Sequence, residues 1–347
     1  MNYKLRTNKA FTLIELLVAI GILAVVLSFA SVIFRVSIEA YRKAVANAEI
    51  MQKLRAITNQ LNADFRGLNK NGEIFSVWVA KPIPGANPND PNSYERFDRI
   101  MFFADGDFQS YKANPMVRGN VARIFYMIAR KGNVRAQGQD RTKRVLARNL
   151  HILTAEPTLA DFPDPNNFSD VQWYEWNNLY EYDKISLDGW KNIPLGDKID
   201  MLSVITDIQV GTSTVNKSIR GVEVEPADAN SIHMLLCEGV GEFKIQGWYD
   251  AQQRWVPEVD PDGDGDLADT HFFFSEPNSV PGVLYPYPPI GSVIINNIDY
   301  PREQVDEVHF NAIPGLGRAL KFTFTLYDSK GIIKNGMTFT HIVYLDK

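Results

Sequence analysis

Two consecutive patterns of hydrophobic positions run through the first 68 residues. Residues 11–34 read FTLIELLVAIGILAVVLSFASVIF and contain one charged residue, Glu15. At about 1.5 Å per residue, a helix of this segment would be ~36 Å long, enough to cross a ~30 Å hydrocarbon core. A secretory signal peptide has a shorter apolar region that is followed by a small-residue cleavage site, so we predict a membrane-spanning segment instead. The basic residues before it predict a cytoplasmic N-terminus and an exported remainder: Lys4, Arg6 and Lys9.

The second pattern, over residues 35–68, has the periodicity of an amphipathic helix. Because no Pro occurs before Pro82 and no Gly lies between Gly21 and Gly67, we predict one helix from about residue 12 to residue 67. Its second half would bury one face against an exported domain, which is the shape of a filament subunit. The apolar residues of that face recur at steps of three and four: Ile50, Leu54, Ile57, Leu61, Phe65 and Leu68.

Residues 69–347 consist of short alternating runs separated by Gly, Pro, Asn and Asp, which predicts a domain of antiparallel β-sheets. Together with the long helix, this domain gives the chain an α+β fold class. The last two strands are predicted to form a hairpin around a turn at 328–331, with one face on a core. The strands are predicted at 100–103, 122–128, 241–248, 320–326 and 338–345.

Two Pro-rich stretches, residues 155–200 and 256–317, are predicted to be long insertions, which are often functional in compact domains. The first contains the aromatic and acidic segment 173–182. That segment either pins the insertion to the core or presents a surface for a partner or a sugar.

The second insertion contains the run DPDGDGD at 260–266. Carboxylates at relative positions 1, 3, 5 and 7 with Gly at position 6 are typical of the first part of a calcium-binding loop, although position 12 is His271 instead of Glu. The alternative is a solvated turn, and the run ADGD at 104–107 is a weaker candidate of the same kind. The predicted calcium ligands are Asp260, Asp262, Asp264, Asp266 and Asp269.

Composition and charge argue against several other functions. The formal net charge of −5 argues against nucleic-acid binding, which usually requires a basic face. The single cysteine, Cys237, excludes an internal disulfide, and its apolar neighbours predict a buried thiol. The chain lacks the G-x-S-x-G, H-E-x-x-H and P-loop motifs, so we expect neither an enzyme nor a small-molecule substrate.

Glu15 is the anomaly of the apolar segment. A charge inside a membrane span costs a few kcal/mol and is by default a functional residue. The alternative is that Glu15 lies close to the interface and extends its carboxylate into water.

The run KAFTLIELLV at 9–18 resembles the prepilin cleavage and methylation motif of type IV pilins and type II secretion pseudopilins. The resemblance implies that a prepilin peptidase removes residues 1–10 by cutting between Ala10 and Phe11, and then methylates the amine of Phe11. It also implies that Glu15 pairs with that amine of a neighbouring subunit, so that two charges costly in lipid neutralise each other. Ala10 stands where the motif usually has Gly.

Further segments are similar, in the same order, to the type II secretion J-type minor pseudopilins and the related W-type minor pilins. This resemblance implies a single-pass subunit of the bacterial inner membrane whose domain lies in the periplasm. The subunit would join other minor and major pseudopilins in a short complex at the pseudopilus tip. Two other interpretations stay open: a type IV minor pilin that primes fibres or contacts surfaces, and a membrane-anchored, calcium-dependent binding protein. The similar segments are 61–66, 121–126, 239–245, 248–250 and 314–328.

The calcium hypothesis predicts a higher melting temperature of the protein in calcium than in EDTA. Carboxylates this close repel one another, and a cation that binds the folded loop relieves the repulsion and stabilises the fold. The double variant Asp262→Ala with Asp264→Ala should lose the difference. Equal melting temperatures of the natural protein in calcium and in EDTA would contradict the hypothesis.

Overall fold

The computed structural model describes residues 12–83, 87, 93–111, 113, 115–129, 138–156, 158–159, 180–193, 208–210, 213–215, 224, 231–249, 253–256, 270–275, 292–295, 298–301, 308–312 and 318–345. Most of both predicted insertions lies outside these residues. So do Ala10, Phe11, segment 173–179 and the predicted calcium ligands Asp260, Asp262, Asp264, Asp266 and Asp269.

A single helix, α1 (Leu13–Arg66), confirms the prediction of one continuous helix. Its 54 residues give a length of about 81 Å. The helix begins after the N-cap Thr12 and ends at Gly67. A Cβ at Gly67 would lie 2.4 Å from the Asp105 carbonyl oxygen, so only glycine lets the chain turn this close to the neighbouring strand.

Strands and one short helix, α2 (Leu187–Lys191), follow α1 in the described residues. The strands are β1 (Ile74–Pro82), β2 (Tyr94–Arg96), β3 (Arg99–Gln109), β4 (Arg118–Ile128), β5 (Val145–Leu153), β6 (Tyr182–Asp183), β7 (Ile208–Val210), β8 (Ser213–Val215), β9 (Leu235–Glu238), β10 (Val240–Tyr249), β11 (Arg254–Val256), β12 (Thr270–Ser275), β13 (Ser292–Ile295), β14 (Ile298–Pro301), β15 (Val308–Ala312), β16 (Ala319–Leu326) and β17 (Met337–Tyr344).

The strands form a larger and a smaller sheet. The larger sheet has the order β15-β12-β1-β3-β4-β5-β6, with β2 also paired to β1 and β9 to β5. The smaller sheet has the order β11-β10-β16-β17, and β7-β8 and β13-β14 are separate two-stranded sheets. The α+β fold class is therefore confirmed.

Two strand pairs, β5-β6 and β12-β15, are parallel in a fold predicted to be antiparallel. A parallel neighbour needs a crossover connection of a dozen or more residues. The two connections run through the predicted insertions, from Leu153 to Tyr182 and from Ser275 to Val308. The inserted residues thus supply the chain length that parallel pairing requires.

The predicted strands lie within β3, β4, β10 and β16, while the last one extends one residue beyond β17, and β16 and β17 form the predicted hairpin. The weaker calcium candidate at 104–107 lies in β3 rather than in a loop. There the Asp105 carboxylate accepts a hydrogen bond from the Asn69 side chain at 2.7 Å. Cys237 is buried as expected, and burial raises the pKa of its thiol to about 12.

One face of the larger sheet, the inner face of the smaller sheet and the buried face of α1 share a hydrophobic core, which we call the joint core. Phe65 at the end of α1 stacks on Phe102 of the larger sheet, with 4.2 Å between ring centroids. It also contacts Phe322 of the smaller sheet at 5.6 Å. The joint core includes the predicted stripe of α1: Ile50, Ile57, Leu61 and Phe65 are buried, and Leu54 and Leu68 are partly buried against it.

The opposite face of the larger sheet is covered by residues 185–193, which follow β6 and include α2. Trp190 of α2 is fully buried there, and its indole nitrogen donates to the Glu73 carboxylate at 3.1 Å. Beneath it, Arg123 Nε donates to Asp183 Oδ2 at 2.7 Å, and His151 Nδ1 lies 2.7 Å from Asp183 Oδ1. This polar cluster fixes the covering segment to β4 and β5.

Asp183→Asn is expected to lower the free energy of unfolding at pH 7 by about 3 kcal/mol, since it leaves the Arg123 guanidinium buried without its carboxylate. Burial alone would raise the pKa of Asp183, but Arg123 and His151 hold it well below its usual range. The folded-state pKa therefore lies below the unfolded value of about 3.9, so this stabilisation is present above that pH and is lost as the pH falls.

Denaturant unfolding of the full chain in detergent at pH 7 and pH 3 measures both effects. Asp183→Asn should show a smaller loss of stability on acidification than the natural protein. Asp188→Asn is the matched control, because its carboxylate is 91% exposed. Equal effects of the two substitutions at pH 7 would contradict a stabilising role of the Asp183 cluster.

Candidate functional site

The first half of α1 exposes apolar side chains all around the helix. Every large apolar side chain between Leu13 and Phe34 is more than half exposed. By length and composition, α1 can cross a membrane, and its most apolar part contacts no other described element. A core helix with this composition would be buried, so the exposed surface requires a lipid or protein environment.

Glu15 caps the start of this helix. The Glu15 backbone N–H donates to Thr12 Oγ1 at 3.3 Å, and the Thr12 backbone N–H donates to Glu15 Oε2 at 2.9 Å. The Thr12 hydroxyl also donates to Oε2, at 2.9 Å. This capping box satisfies backbone donors of the first turn. Within the described residues, Oε1 accepts no hydrogen bond and could receive an additional donor.

The second half of α1 is fixed to the loop between β16 and β17. Lys53 Nζ donates to the Tyr327 carbonyl oxygen at 2.8 Å and pairs with Glu49 on the same helix at 2.8 Å. The Glu49 carboxylate accepts hydrogen bonds from the backbone N–H and the hydroxyl of Ser329. These contacts hold the helix where it enters the domain.

Asp64 is the charged residue on the buried face of α1. Arg148 of β5 donates two hydrogen bonds to its carboxylate, each 2.7 Å long, and the hydroxyl of Tyr126 in β4 donates a third. Gln60, one turn earlier, donates to Asp64 Oδ1 at 3.0 Å. Burial and the adjacent Asp64 carboxylate raise the pKa of Tyr126 well above its usual value. A bidentate ion pair between Arg148 and Asp64 therefore joins the helix to the larger sheet.

Asp64 belongs to the similar segment 61–66, but this role of its carboxylate was not predicted from the sequence. The available signal was its spacing. Asp64 lies three residues after Leu61 and immediately before Phe65, so it falls on the apolar stripe. A carboxylate at such a position needs a buried partner. Its partners are separated from it by 62 and 84 residues, and only the fold brings them together.

A polar cleft of about 520 Å³ is lined in part by Arg148 and Gln60, two of the partners of Asp64. Its lining includes both signs of charge, among them Arg148, Asp107 and Glu181. The Glu181 carboxylate accepts backbone hydrogen bonds from Tyr111 and Ala113, so it fixes the loop after β3. Across the part of the chain that the structure describes, no group of three His, Cys, Asp or Glu side chains could hold a metal ion.

Asp64→Leu is expected to lower the free energy of unfolding by about 3–5 kcal/mol, because Arg148 and the Tyr126 hydroxyl would lose their buried acceptor. Arg148→Met should have a similar effect, since it leaves the carboxylate unpaired. The double variant should lose much less than the sum, because both charges are then absent. Denaturant unfolding of the four proteins in detergent gives this comparison, and strictly additive losses would contradict the coupling.

Comparison with known proteins connects this geometry to a family motif. Residues 5–31 match the prokaryotic N-terminal methylation motif. The matched segment contains the Thr12–Glu15 capping box and most of the exposed half of α1. No curated protein and no solved structure matches the chain. The motif is the pilin-like prepilin signal, and it implies processing by a prepilin peptidase and assembly with other pilins.

Proposed function

We propose that this protein is a structural minor pseudopilin of a type II secretion system, placed in the tip complex of the pseudopilus. The observation that carries the proposal is the position of the methylation motif on α1. The motif covers the half of the helix that is exposed and apolar, while the other half is built into the domain. A subunit of this shape is stored in the membrane by one half of its helix and presents its domain through the other half.

The proposed steps follow from the motif and from Glu15. A prepilin peptidase cuts between Ala10 and Phe11, removes residues 1–10 and methylates the Phe11 amine. The free Glu15 Oε1 then pairs with the Phe11 amine of a neighbouring pilin-like subunit while Oε2 still caps the helix. The paired charges are less costly in the apolar bundle than either charge alone.

The remaining parts of the proposal concern location and partners. The helix lies in the bacterial inner membrane and the domain in the periplasm, where it contacts minor and major pseudopilins. Calcium bound by Asp260, Asp262, Asp264, Asp266 and Asp269 would stiffen the loop that contains them. The role is assembly rather than catalysis, which agrees with the structural function of proteins that carry this motif.

The experiment is a gene deletion complemented with the natural gene, with Glu15→Leu or with Ser31→Leu. Glu15→Leu should stay in the membrane but lower export of folded proteins by at least about tenfold, because the loss of a few kcal/mol of pairing disfavours incorporation. Ser31→Leu is the matched control, since its hydroxyl donates only to the Leu27 carbonyl of the same helix. Normal incorporation of Glu15→Leu would contradict the role of Glu15.

Two measurements on the deletion strain separate the possible filaments. Loss of exported proteins from the culture supernatant, with sheared surface pili intact, supports the secretion pseudopilus. Loss of pili with secretion intact makes the protein a type IV minor pilin. If neither changes, the protein is a membrane-anchored binding protein and the proposal is wrong.

A further inference from the structure

The smaller sheet ends in an open strand edge. No described strand pairs with the outer edge of β17. Leu345 N donates to the Arg318 carbonyl oxygen, so the backbone of Leu345 faces β16. In the antiparallel register of β16 and β17, every second residue before Leu345 also faces β16 with its backbone groups, and the residues between them face outward. The outward N–H and C=O groups are therefore those of Thr338, Thr340, Ile342 and Tyr344.

The composition of this edge is unusual for a strand that stays unpaired. β17 has eight residues, with no Pro, Lys, Arg, Asp or Glu among them. Monomeric proteins usually shorten, charge or cover such an edge, because it can pair with another chain. β17 shows none of these protections within the described residues, so it is suited to accept an additional strand.

α1 runs beside this edge and contributes positive charge. Asn62 Oδ1 lies 2.9 Å from His341 Nε2 of β17. At about 100° per residue, Arg55 and Arg66 lie within ~40° of Asn62 around the helix, so the three side chains form one row, the α1 flank. Arg55 and Arg66 are exposed, and no carboxylate of the described residues forms an ion pair with either.

The two guanidinium groups of the α1 flank are not in an ion pair with any described carboxylate, whereas other charged side chains on this part of the helix are paired. Lys53 is paired with Glu49, and Asp64 with Arg148. Because the chain as a whole carries a net charge of −5, two uncompensated guanidinium groups beside an open edge are a local exception. They favour a partner segment that brings carboxylates.

Along β17, the outer face of the smaller sheet changes from hydroxyl groups to apolar side chains. Thr338 and Thr340 are exposed at one end, and their hydroxyls lie beside Thr325 and Thr323 of β16 at 3.0 and 3.4 Å. Ile342 and Tyr344 follow at the other end, 37% and 64% exposed. One half of an added strand would therefore contact hydroxyl groups, and the other half would contact an apolar surface.

We propose that the edge of β17 binds an extended segment of a partner protein with acidic residues on the face toward α1. The segment would pair its backbone with the four outward-facing residues of β17 and its carboxylates with Arg55 and Arg66. These arginines are separated by about 16 Å along the helix, which equals about five strand residues. Two acidic residues four or six positions apart satisfy this spacing, because only even separations place side chains on one face. The proposal extends beyond the filament role and does not depend on cleavage at Phe11.

The test uses the full chain in detergent micelles and two synthetic peptides of eight residues. In the first, Glu alternates with Thr in one half and with Val in the other; in the second, Lys replaces every Glu. The first peptide should bind and slow amide hydrogen exchange at Thr338, Thr340, Ile342 and Tyr344. The second should not bind, because its cations would face the α1 flank. Absence of protection at ~1 mM of the first peptide, or equal binding of both peptides, would overturn the proposal.

Variants of the chain locate the binding site. Arg55→Glu with Arg66→Glu should weaken binding of the acidic peptide by at least about tenfold, since two attractions become repulsions. Arg118→Glu, an exposed arginine at the start of β4, is the matched control and should leave the affinity unchanged. Arg118→Glu changes the net charge by half as much as the double variant, so a loss of about threefold or more in the control would show that only overall charge matters, and would refute the site.

Thr340→Pro tests the backbone contact separately. Its N–H faces outward, so proline removes one donor of the edge and no backbone hydrogen bond to β16. The substitution also removes the exposed hydroxyl contact with Thr323. Binding should fall at least about tenfold while the exchange of amides in β16 stays slow. A second outcome is also decisive: if the four outward amides are protected without peptide and the protein is dimeric, the edge pairs with a second copy and the acidic partner is excluded.

Discussion

The structure depends on the burial of one face of α1 between the two sheets. The helix is 54 residues long, and only its second half packs against other described parts of the protein. Ile50, Ile57 and Leu61 are completely buried in the joint core, where both sheets contribute side chains. Without this helix face, neither sheet could complete its inner surface. The helix is thus a central element of the domain core, and its other half is long and apolar enough to cross a membrane.

Two acidic residues on α1 meet the same physical difficulty in different surroundings. Asp64 is buried in the domain and is neutralised there by Arg148 and Tyr126. Glu15 lies in the apolar half, where the described chain offers it only the Thr12 cap. A carboxylate in an apolar environment needs a partner, and in the first case the chain supplies it. In the second case, the proposed assembly assigns the partner to a neighbouring subunit, whereas Asp64 finds its partners within its own fold.

The helix and the fold class could be predicted because their signals are local. A long Pro-free pattern specifies α1, and the alternation at 320–326 and 338–345 specifies the hairpin of β16 and β17. The larger sheet could not be predicted in the same way, since its order joins strands far apart in sequence, as in the pairing of β1 with β12. The strand at 104–107 could not be predicted for a related reason. Asp and Gly usually indicate a loop, but here a bulged strand accommodates them between Asp105 and Phe108.

The residues of the candidate site likewise differ in whether the local sequence could identify them. Glu15 could be singled out from the sequence because a charge interrupts an apolar run, and it lies within the matched motif. The ion pair at Asp64 was not, because its partners lie on β4 and β5 and only folding brings them beside the helix. The positive α1 flank and the open edge of β17 likewise require the register of β17 with β16 and its position beside α1. The local sequence identifies which residues are unusual, whereas only the fold identifies the residues that they contact.

The continuity of α1 has a mechanical consequence. The described helix contains no proline, and its single glycine, Gly21, lies in the apolar half rather than where the helix enters the domain. Where helix and domain meet, the Lys53, Glu49 and Asp64 contacts act together with the joint core as a rigid coupling. A force applied along the apolar half is therefore transmitted to the domain without a hinge that could absorb it. The helix behaves as a rigid rod about 81 Å long, in which an axial displacement at the apolar end moves the β-sheets by the same distance.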